Sequence, residues 1–287
     1  MQEKKRGRTH SRWLLPAALV LAGAAWFENF TLSTSTVTAA CAALPEAFSG
    51  LRIVQISDLH GRRFDAESRY LLELVRLQSP DLIALTGDLA DEFTDFSMLP
   101  PLLDGLTALA PTFYVTGNHE WVLSREKRAA LFSMLDAAGV VRLQNEYRLL
   151  KKGQASIVLA GVDDPNGPYD QKRPAQLVRE IRQSRGRDAY ILMLSHRNDE
   201  LDLWANMGVQ TVLCGHGHGG IVRLPFVGAV FGTHLDLFPD YTAGLYQKGQ
   251  TSMIVSRGLG GSRKLPLRIG NRPEIVTVIL KTDSGEI

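Results

Sequence analysis

The segment LCGHGHGG, residues 213–220, follows an apolar run with two histidines one residue apart, each preceded by a glycine. At the end of a strand, His216 and His218 would project to the same side. The glycines allow a tight turn and remove side chains that would block a ligand. The pair suits metal binding, although a His-x-His pair is weak evidence until further ligands are found in the chain.

Other apolar runs also stop at polar residues of the kinds that bind metals. Together with the histidine pair, the donors at the ends of these runs are Asp58, His60, Asp88, Asn118, His196, His216 and His218. Ligation by both imidazole and carboxylate favours Mn²⁺, Fe or Zn²⁺ over Ca²⁺ or Mg²⁺. These seven donors are too many for one tetrahedral ion, and they fit two ions about 3.5–4 Å apart that share a bridging carboxylate.

The apolar runs themselves predict the scaffold. They are short, continuous and rich in Ile, Val and Leu, as in LRIVQIS, DLIALTG, PTFYVTG, ASIVLAGV, AYILMLS and QTVLCG. Such runs are typical of strands buried on both faces. Helical patterns stand between several of them, in ESRYLLELVRLQ, SREKRAALFSMLDAAG and AQLVREIRQSRG. In the second pattern we expect Ser124 to cap the start of the helix and Gly139 its end.

The alternation of strand and helix predicts a layered α/β domain. The C-terminal part changes character, because no helical pattern follows about residue 207. This part is predicted to consist of strands joined by turns rich in Gly and Pro, in the segments IVRLPFVGAVFGTHLDLF, AGLYQKG, TSMIVSRGL and EIVTVIL. His234, in this part, is expected to line the cleft. We predict one globular domain over residues 29–287, with two packed sheets and outer helices.

The composition is that of a globular protein that can bury a sizeable core. The 287 residues are 45% hydrophobic and 22% charged, both ordinary values. A net charge of +2 is too small to indicate nucleic-acid binding. The two cysteines, Cys41 and Cys214, exclude a disulfide framework and a cysteine-based zinc site.

The N-terminal segment, residues 1–28, stands apart. Five cations precede the apolar run WLLPAALVLAGAAWF: Lys4, Lys5, Arg6, Arg8 and Arg12. The run is shorter than the ~20 residues that a helix needs to cross a bilayer. Two interpretations remain, an uncleaved membrane anchor and a signal peptide cleaved at Ala22-Gly23-Ala24. In either case the cations predict an extracytoplasmic domain, anchored in the bacterial cytoplasmic membrane or secreted.

Five short motifs each follow a predicted strand, in the order DLH, GDLAD, GNHE, SH and GHGH. Together they resemble the motif set of the calcineurin-like metallophosphoesterases. The resemblance covers roughly residues 50–280. HGGIVRLPFVGAVFG, SRGLGGS and LPLRIGNRPEI are similar to the membrane-anchored bacterial phosphodiesterase branch. The resemblance implies the metallo-dependent phosphatase fold, an α/β four-layer αββα sandwich of two mixed β-sheets flanked by helices.

The chain departs from the family pattern at positions beside the ligands. Gly217 stands where the family usually has Thr, Ile221 where it often has Gln, and Arg197-Asn198 where it often has Asn-Pro. None of these changes removes a ligand, but each affects the contacts around the site.

The resemblance also implies a role for each ligand. One divalent ion would be held by Asp58, His60 and His218, and the other by Asn118, His196 and His216. Asp88 would bridge the two ions. The ions, Mn, Zn or Fe, would lower the pKa of the attacking water. His119 would be the general acid that protonates the leaving oxygen. Asp91 would orient His119, or else would be a charge at a helix N-terminus, and Glu120 would be structural.

The reaction class is clearer than the substrate. Arginine offers a forked donor to phosphate oxygens, and Arg62, Arg63, Arg197 and Arg223 follow metal motifs, although each also fits ordinary surface charge. With a membrane segment, we expect a phosphodiester or diphosphate near the membrane, for example a lipid-linked one. The alternatives are a UDP-2,3-diacylglucosamine-type lipid diphosphatase and a non-catalytic cell-envelope-binding protein. Weak charge and the lack of alternating aromatic and basic residues argue against nucleic acid.

Overall fold

The computed structural model describes residues 11–233, 235–261 and 268–283. In its first sheet, the strands lie in the order β1-β14-β2-β3-β4-β5. Their bounds are Ser33–Ala40 (β1), Glu274–Lys281 (β14), Arg52–Ile56 (β2), Leu82–Thr86 (β3), Thr112–Val115 (β4) and Val141–Arg142 (β5). The strands from β2 to β5 are parallel, and β14 is antiparallel to β2. The sheet is therefore mixed.

The second sheet has the strand order β12-β13-β9-β8-β7-β6. Its strands are Gly244–Lys248 (β12), Thr251–Val255 (β13), Thr211–Cys214 (β9), Ile191–Leu194 (β8), Ala155–Gly161 (β7) and Glu146–Lys152 (β6). Four of them, β13, β9, β8 and β7, run parallel, and the two outer strands are antiparallel to their neighbours. Both sheets match the predicted mixed architecture.

Helices cover the outer faces of both sheets. They are Arg69–Leu77 (α2), Leu99–Leu109 (α3), Asn118–Val122 (α4), Arg125–Ala137 (α5), Pro174–Arg185 (α6) and Leu201–Asn206 (α7). Because side chains alternate along a strand, Val54 and Ile56 pack against the helices while Ile53 packs between the sheets. A third apolar cluster joins the second sheet to α6 and α7. The four-layer αββα sandwich is confirmed.

The sequence patterns located most elements correctly. The three predicted helices correspond to α2, α5 and α6; Ser124 accepts a hydrogen bond from the backbone N–H of Lys127, and Gly139 follows the end of α5 with a φ of 77°. Helices α3 and α7 and strands β5 and β6 had not been predicted. The stretch 221–238, predicted as strand, contains a short hairpin of Val222–Leu224 (β10) and Gly228–Phe231 (β11), and its described residues beyond Phe231 belong to no named strand.

The N-terminal helix α1, Ser11–Phe30, contains the apolar run and extends past the predicted boundary at residue 28. Within the described part of the chain, no helix is both long and apolar enough to cross a membrane. The predicted transmembrane anchor is not supported, because the apolar run spans only about 22 Å of helix against a hydrocarbon core of about 30 Å.

Candidate metal centre

Four of the predicted ligands lie at the same offset from a strand. Asp58, Asp88, His196 and His216 each lie two residues beyond the last residue of β2, β3, β8 and β9. Because these strands are parallel within their sheets, their carboxyl ends meet at one edge of the sandwich. The two sheets therefore deliver ligands from both sides into one cleft.

Five of the candidate ligand residues have an unusual backbone conformation. Asp58, His60, Asp88, His216 and His218 all have positive φ values, between 49° and 66°. This left-handed conformation is unfavourable for residues with a Cβ and persists only where surrounding contacts enforce it. Two such contacts are the backbone hydrogen bonds from Asp58 N to the carbonyl of Gly87, 3.0 Å, and from His60 N to that of Asp88, 2.9 Å.

One group of donors consists of Asp58, His60, Asp88 and His218, whose ligand atoms all lie within 4.8 Å of one another. Nε2 of His60 is 3.6 Å from Oδ2 of Asp88, and Nε2 of His218 is 3.7 Å from Oδ1 of Asp58. The rings of His60 and His218 are stacked with centroids 5.0 Å apart. These distances leave room for one ion between the side chains.

A second group consists of Asp88, His196 and His216, again within 4.8 Å. Nε2 of His196 lies 3.2 Å from Oδ2 of Asp88 and 3.2 Å from Oδ1 of Asn118, and Nδ1 of His216 lies 3.2 Å from that same Nε2. The fold thus brings all seven predicted donors together, and Asp88 belongs to both groups. This sharing is what a bridging carboxylate requires.

Several polar atoms of the first group lack a hydrogen-bond partner in the protein. Both ring nitrogens of His60, Oδ2 of Asp88 and Nδ1 of His218 are buried without a hydrogen bond. A buried polar group without a partner costs about 1–3 kcal/mol, so native proteins rarely keep several together. Divalent cations would satisfy these atoms, and the mixed imidazole and carboxylate set fits two such ions. The residues form a candidate two-metal site.

Burial keeps two ligand histidines neutral. Removal from water lowers the pKa of His60 to about 4 and the pKa of His218 to about 3. A metal needs the lone pair of a neutral imidazole, so these rings are ready to bind ions near neutral pH. For His196 burial also acts to lower the pKa, but the carboxylates of Asp88 and Asp58 outweigh it and raise the pKa to about 10.

The tautomer of His196 is fixed by the backbone. Nδ1 lies 2.8 Å from the carbonyl oxygen of Thr86, which can only accept, so Nδ1 carries the proton. Nε2, which faces Asp88 and Asn118, is then the atom available to a metal. A hydrogen bond of this kind also fixes the ring plane of a ligand histidine.

Glu120 organises the loop that carries Asp88. Its buried carboxylate accepts hydrogen bonds from the backbone N–H groups of Asp88 at 3.0 Å, Leu89 at 2.7 Å and Gly117 at 2.7 Å. Glu120 therefore joins the ends of β3 and β4, which agrees with its predicted structural role. Burial raises the pKa of this carboxyl to about 8.

His119 lies beside the ligands but belongs to neither donor group. Its backbone N–H donates to Oδ1 of Asp88 at 2.8 Å, and its half-buried ring makes an edge contact with His60, with centroids 4.6 Å apart. Asp91, expected to orient His119, lies with Oδ2 3.8 Å from Nδ1 of His60 instead. The structure brings His119 to the mouth of the site, and its role as general acid stays a prediction.

Three of the four candidate substrate-binding arginines are engaged elsewhere. Arg62 donates to the carbonyl of Asn29 and lies over the rings of Phe30 and Phe64. Arg63 forms an exposed ion pair with Asp95 at 2.6 Å. Arg223 donates to the carbonyl of Gly219 and to Thr242. These contacts explain the three arginines by local structure. His234 lies outside the described residues.

Arg197 alone among the four touches a predicted ligand. Its Nη1 is 3.1 Å from Nε2 of His216, and its other two nitrogens make a two-pronged contact with the buried carboxylate of Asp164 at 2.6 and 3.0 Å. Asp164 closely follows the apolar run ASIVLAGV in the sequence, but it was not among the predicted site residues. Asp164 lies three residues beyond the end of β7, the strand next to β8, and this position close to the strand end that carries His196 was the signal for its place in the site.

Two departures from the family pattern are in contact. A Cβ added at Gly217 would lie 2.7 Å from Nδ2 of Asn198, which donates to the carbonyl of Tyr241 at 2.8 Å. Asn198 thus occupies the space that a threonine at position 217 would need. The third departure, Ile221, is buried, and its backbone N–H donates to Phe231.

The loop that carries His218 is held by residues that no local pattern indicated. Nδ2 of Asn271 donates to the carbonyls of His218 at 2.8 Å and Gly220 at 2.6 Å. The buried guanidinium of Arg268 donates to the carbonyls of Asn271 and Arg257. Because the two contacts of Asn271 each span more than 50 residues of sequence, only the folded chain reveals them.

The sequence matches the calcineurin-like phosphoesterase family over residues 51–220. It is 32% identical to the metallophosphoesterase YkuE of Bacillus subtilis over 267 residues, which cover 90% of this chain and 89% of that protein. It is 31% identical to the phosphodiesterase YaeI of Escherichia coli over 234 residues, 80% and 82% of the two chains. A solved structure from Thermus thermophilus is similar at 15% identity with a TM-score of 0.47, covering 74% of this chain and 91% of that one.

Proposed function

Because the chain belongs to the calcineurin-like phosphoesterase family, whose members are metal-dependent hydrolases, we propose that it hydrolyses a phosphodiester or a diphosphate near a membrane. The observation that carries the proposal is the convergence of seven donors into two groups that share Asp88. Two divalent ions held there would stabilise negative charge on the phosphoryl group and lower the pKa of the attacking water.

The protein groups around the ions have separate tasks in this proposal. Asp88 would hold both ions, and Glu120 fixes the backbone of Asp88 by accepting a hydrogen bond from its N–H. His119, at the mouth of the site, donates a proton from its imidazole to the leaving oxygen, a role typically worth ~10²–10⁴-fold in rate. Arg197, held by Asp164 at the cleft edge, orients the phosphoryl oxygens.

Two clefts that meet at Arg197 favour a substrate with two substituents on phosphorus. One cleft of about 240 Å³ is lined by His196, Tyr169 and Arg173, among others. The other, of about 430 Å³, is lined by His216 and Thr242, among others. A phosphodiester has an arm for each cleft, whereas a monoester has only one. The similarity to a protein named a phosphodiesterase, YaeI, supports the same choice.

A location outside the cytoplasm, near the membrane, is the other part of the proposal. It rests on the five cations that precede the apolar run of the N-terminal segment, because such a charge excess keeps the N-terminus on the cytoplasmic side. A reporter fused to the C-terminus should be active only outside the cytoplasm. Activity of a reporter that works only inside would contradict this orientation.

Turnover by metal-free protein refilled with Mn²⁺, Zn²⁺ or Mg²⁺ tests the activity. The substrates are an aryl phosphodiester, an alkyl phosphodiester, a nucleotide-sugar diphosphate and a phosphomonoester. We expect refilling to restore hydrolysis of a diester or the diphosphate, and Asp88→Asn to reduce both bound metal and turnover. Asp95→Asn, a change of the same type at an exposed carboxylate, is the matched control and should retain both.

Three outcomes would contradict the proposal. Hydrolysis of the monoester alone would exclude a diesterase. Refilled protein that binds two ions but turns over none of the substrates would favour the non-catalytic binding protein. An Asp88→Asn variant with full activity and two bound ions would show that the site is elsewhere.

A further inference from the structure

The side of the metal centre next to His218 carries an unusual concentration of exposed apolar side chains. Eight of them form what we call the apolar rim: Leu224, Phe226, Val227, Phe231, Leu235, Leu237, Phe238 and Ile269. Phe226, in the turn between β10 and β11, has a relative exposure of 108%, and Leu235, Leu237 and Phe238 are all above 60%. Single exposed apolar residues are ordinary, but a contiguous group of this size marks an interaction site.

The rim is joined directly to the metal centre. Strand β10 begins four residues after His218, and Arg223 within it donates to the carbonyl of Gly219. The loop that follows β11 lines the cleft of His216 through Gly232 and Asp236. Whatever the rim contacts therefore lies beside the position of the phosphoester.

Helix α1 extends the same surface. Its large exposed side chains recur at the spacing of one helical face. They are Leu19, Trp26, Phe27 and Phe30. The side chain of Asn29 exchanges hydrogen bonds with the backbone of Arg268, at 3.0 and 2.8 Å. The next residue, Ile269, is bonded through its backbone to Ile221 and Arg223 at the base of the hairpin. This chain of contacts links the helix face to the rim.

Guanidinium groups lie among the exposed aromatic rings of the helix face. Arg272 lies 4.5 Å from the ring centroid of Phe27, and Arg62 lies 5.4 Å from that of Phe30. In sequence, Lys4, Lys5, Arg6 and Arg8 precede the helix, and Arg12 is its second residue. Aromatic side chains combined with cations are the composition of surfaces that bind anionic lipid headgroups.

The shape of the rim also favours a bilayer. Its most exposed side chains stand on a tight turn and on a loop, so they project from the surface instead of lining a groove. A protein partner would need matching pockets for each projection, whereas the interfacial region of a bilayer adapts to them. Asp236, the carboxylate within the loop, lies against Gly232, on the side of the cleft.

We propose that the apolar rim and the exposed face of α1 dock this protein onto an anionic bilayer surface, so that the metal centre meets phosphodiesters in lipid headgroups. The docking itself is independent of catalysis. The choice of a lipid headgroup as substrate rests on the proposed phosphodiesterase function.

Sedimentation of the full chain with vesicles tests the docking. The vesicles are phosphatidylcholine alone and phosphatidylcholine with phosphatidylglycerol. We expect stronger binding to the anionic vesicles, and the double variant Phe226→Ser with Leu237→Ser should lower the partition coefficient about tenfold or more, because each side chain is worth 1.5–3 kcal/mol when it leaves water. Leu77→Ser, at a residue of 58% exposure on α2, is the matched control and should bind like the parent protein.

The same proteins are assayed with a water-soluble aryl phosphodiester and with the vesicle lipid. The double variant should keep turnover of the soluble ester and lose turnover of the lipid. Equal vesicle binding by parent and double variant, or an equal loss in Leu77→Ser, would overturn the docking. So would a parent protein that ignores vesicles but forms a dimer that the double variant does not form. Vesicle binding without turnover of either ester would instead contradict the proposed function and leave the docking intact.

Discussion

Nη1 of Arg197 lies 3.1 Å from Nε2 of His216, while Nδ1 of His216 faces Nε2 of His196 at 3.2 Å. The two nitrogens of one ring thus face opposite directions, one toward the ligand cluster and one toward a cation. A guanidinium only donates, so this contact requires Nε2 to be the acceptor. If Nδ1 binds an ion, Nε2 carries the proton and Arg197 becomes available to a substrate oxygen.

From this arrangement we predict that Arg197→Gln keeps both metal ions and lowers kcat/KM about 10–100-fold, the equivalent of losing a hydrogen bond to a charged group. Metal content by elemental analysis and steady-state kinetics on a diester are the measurements. Arg63→Gln is the matched control, since the exposed ion pair of Arg63 with Asp95 contributes little. Equal losses in the two variants would show that Arg197 has no special position.

His119 and His216 should respond differently to replacement. His119 belongs to neither donor group, whereas His216 belongs to the second. We expect His119→Ala to keep both ions and to lose rate mainly on alkyl esters, by ~10²–10⁴-fold, because phenolate leaving groups need no proton. His216→Ala should lose metal and turn over both ester types poorly. The same metal content and leaving-group dependence in both variants would refute this division of roles.

A partly buried carboxyl at the N-terminus of α7 should make stability depend on pH. Burial and the nearby Asp199 raise the pKa of Glu200 to about 7, against an ordinary value of 4.5. Because the folded pKa is the higher one, the stabilisation is fully present below about pH 4.5 and is lost as the pH rises through about 7. Glu200→Gln, which mimics the neutral acid, should therefore match the parent protein at pH 4.5 and exceed its stability at pH 8.

Thermal or urea unfolding at the two pH values measures this effect, which has an upper limit of about 3 kcal/mol. Asp202→Asn, which removes an exposed carboxylate of the same helix, paired with Lys248, is the control and should show no such gain at pH 8. A gain for Glu200→Gln that is equal at both pH values would contradict the assignment.

The contact between positions 217 and 198 can be tested by a double-mutant cycle. In Gly217→Thr, the new Cβ should displace Asn198 from its hydrogen bond to Tyr241. We expect this displacement to destabilise the protein by about 1–3 kcal/mol. Adding Asn198→Ala should make the threonine less harmful. Unfolding free energies of the two single variants and the double variant give the coupling, and strictly additive effects would show that the two departures from the family pattern are independent.

The sequence by itself determined most of the strands and the candidate ligands. Asp58, Asp88, His196 and His216 follow short apolar runs, and a run of this kind forms a buried strand wherever it lies in the sandwich. Their chemistry is local to each strand end, and the parallel strands then bring them to one edge. The helices α2, α5 and α6 were predictable for a similar reason, since their apolar spacing and caps are local signals.

Only the tertiary structure decided which polar residues face the ligands and which do not. In sequence, each of the four arginines, at positions 62, 63, 197 and 223, lies close to a metal motif. Only Arg197 reaches a candidate ligand, because Asp164, which follows a neighbouring strand, holds it there. Likewise, Asp91 was expected to orient His119, whereas its carboxylate lies 3.8 Å from the ring of His60. The loop of His218 depends on Asn271 and Arg268, distant in sequence. Contacts of this kind depend on where separate loops meet, which the pattern of any one segment does not encode.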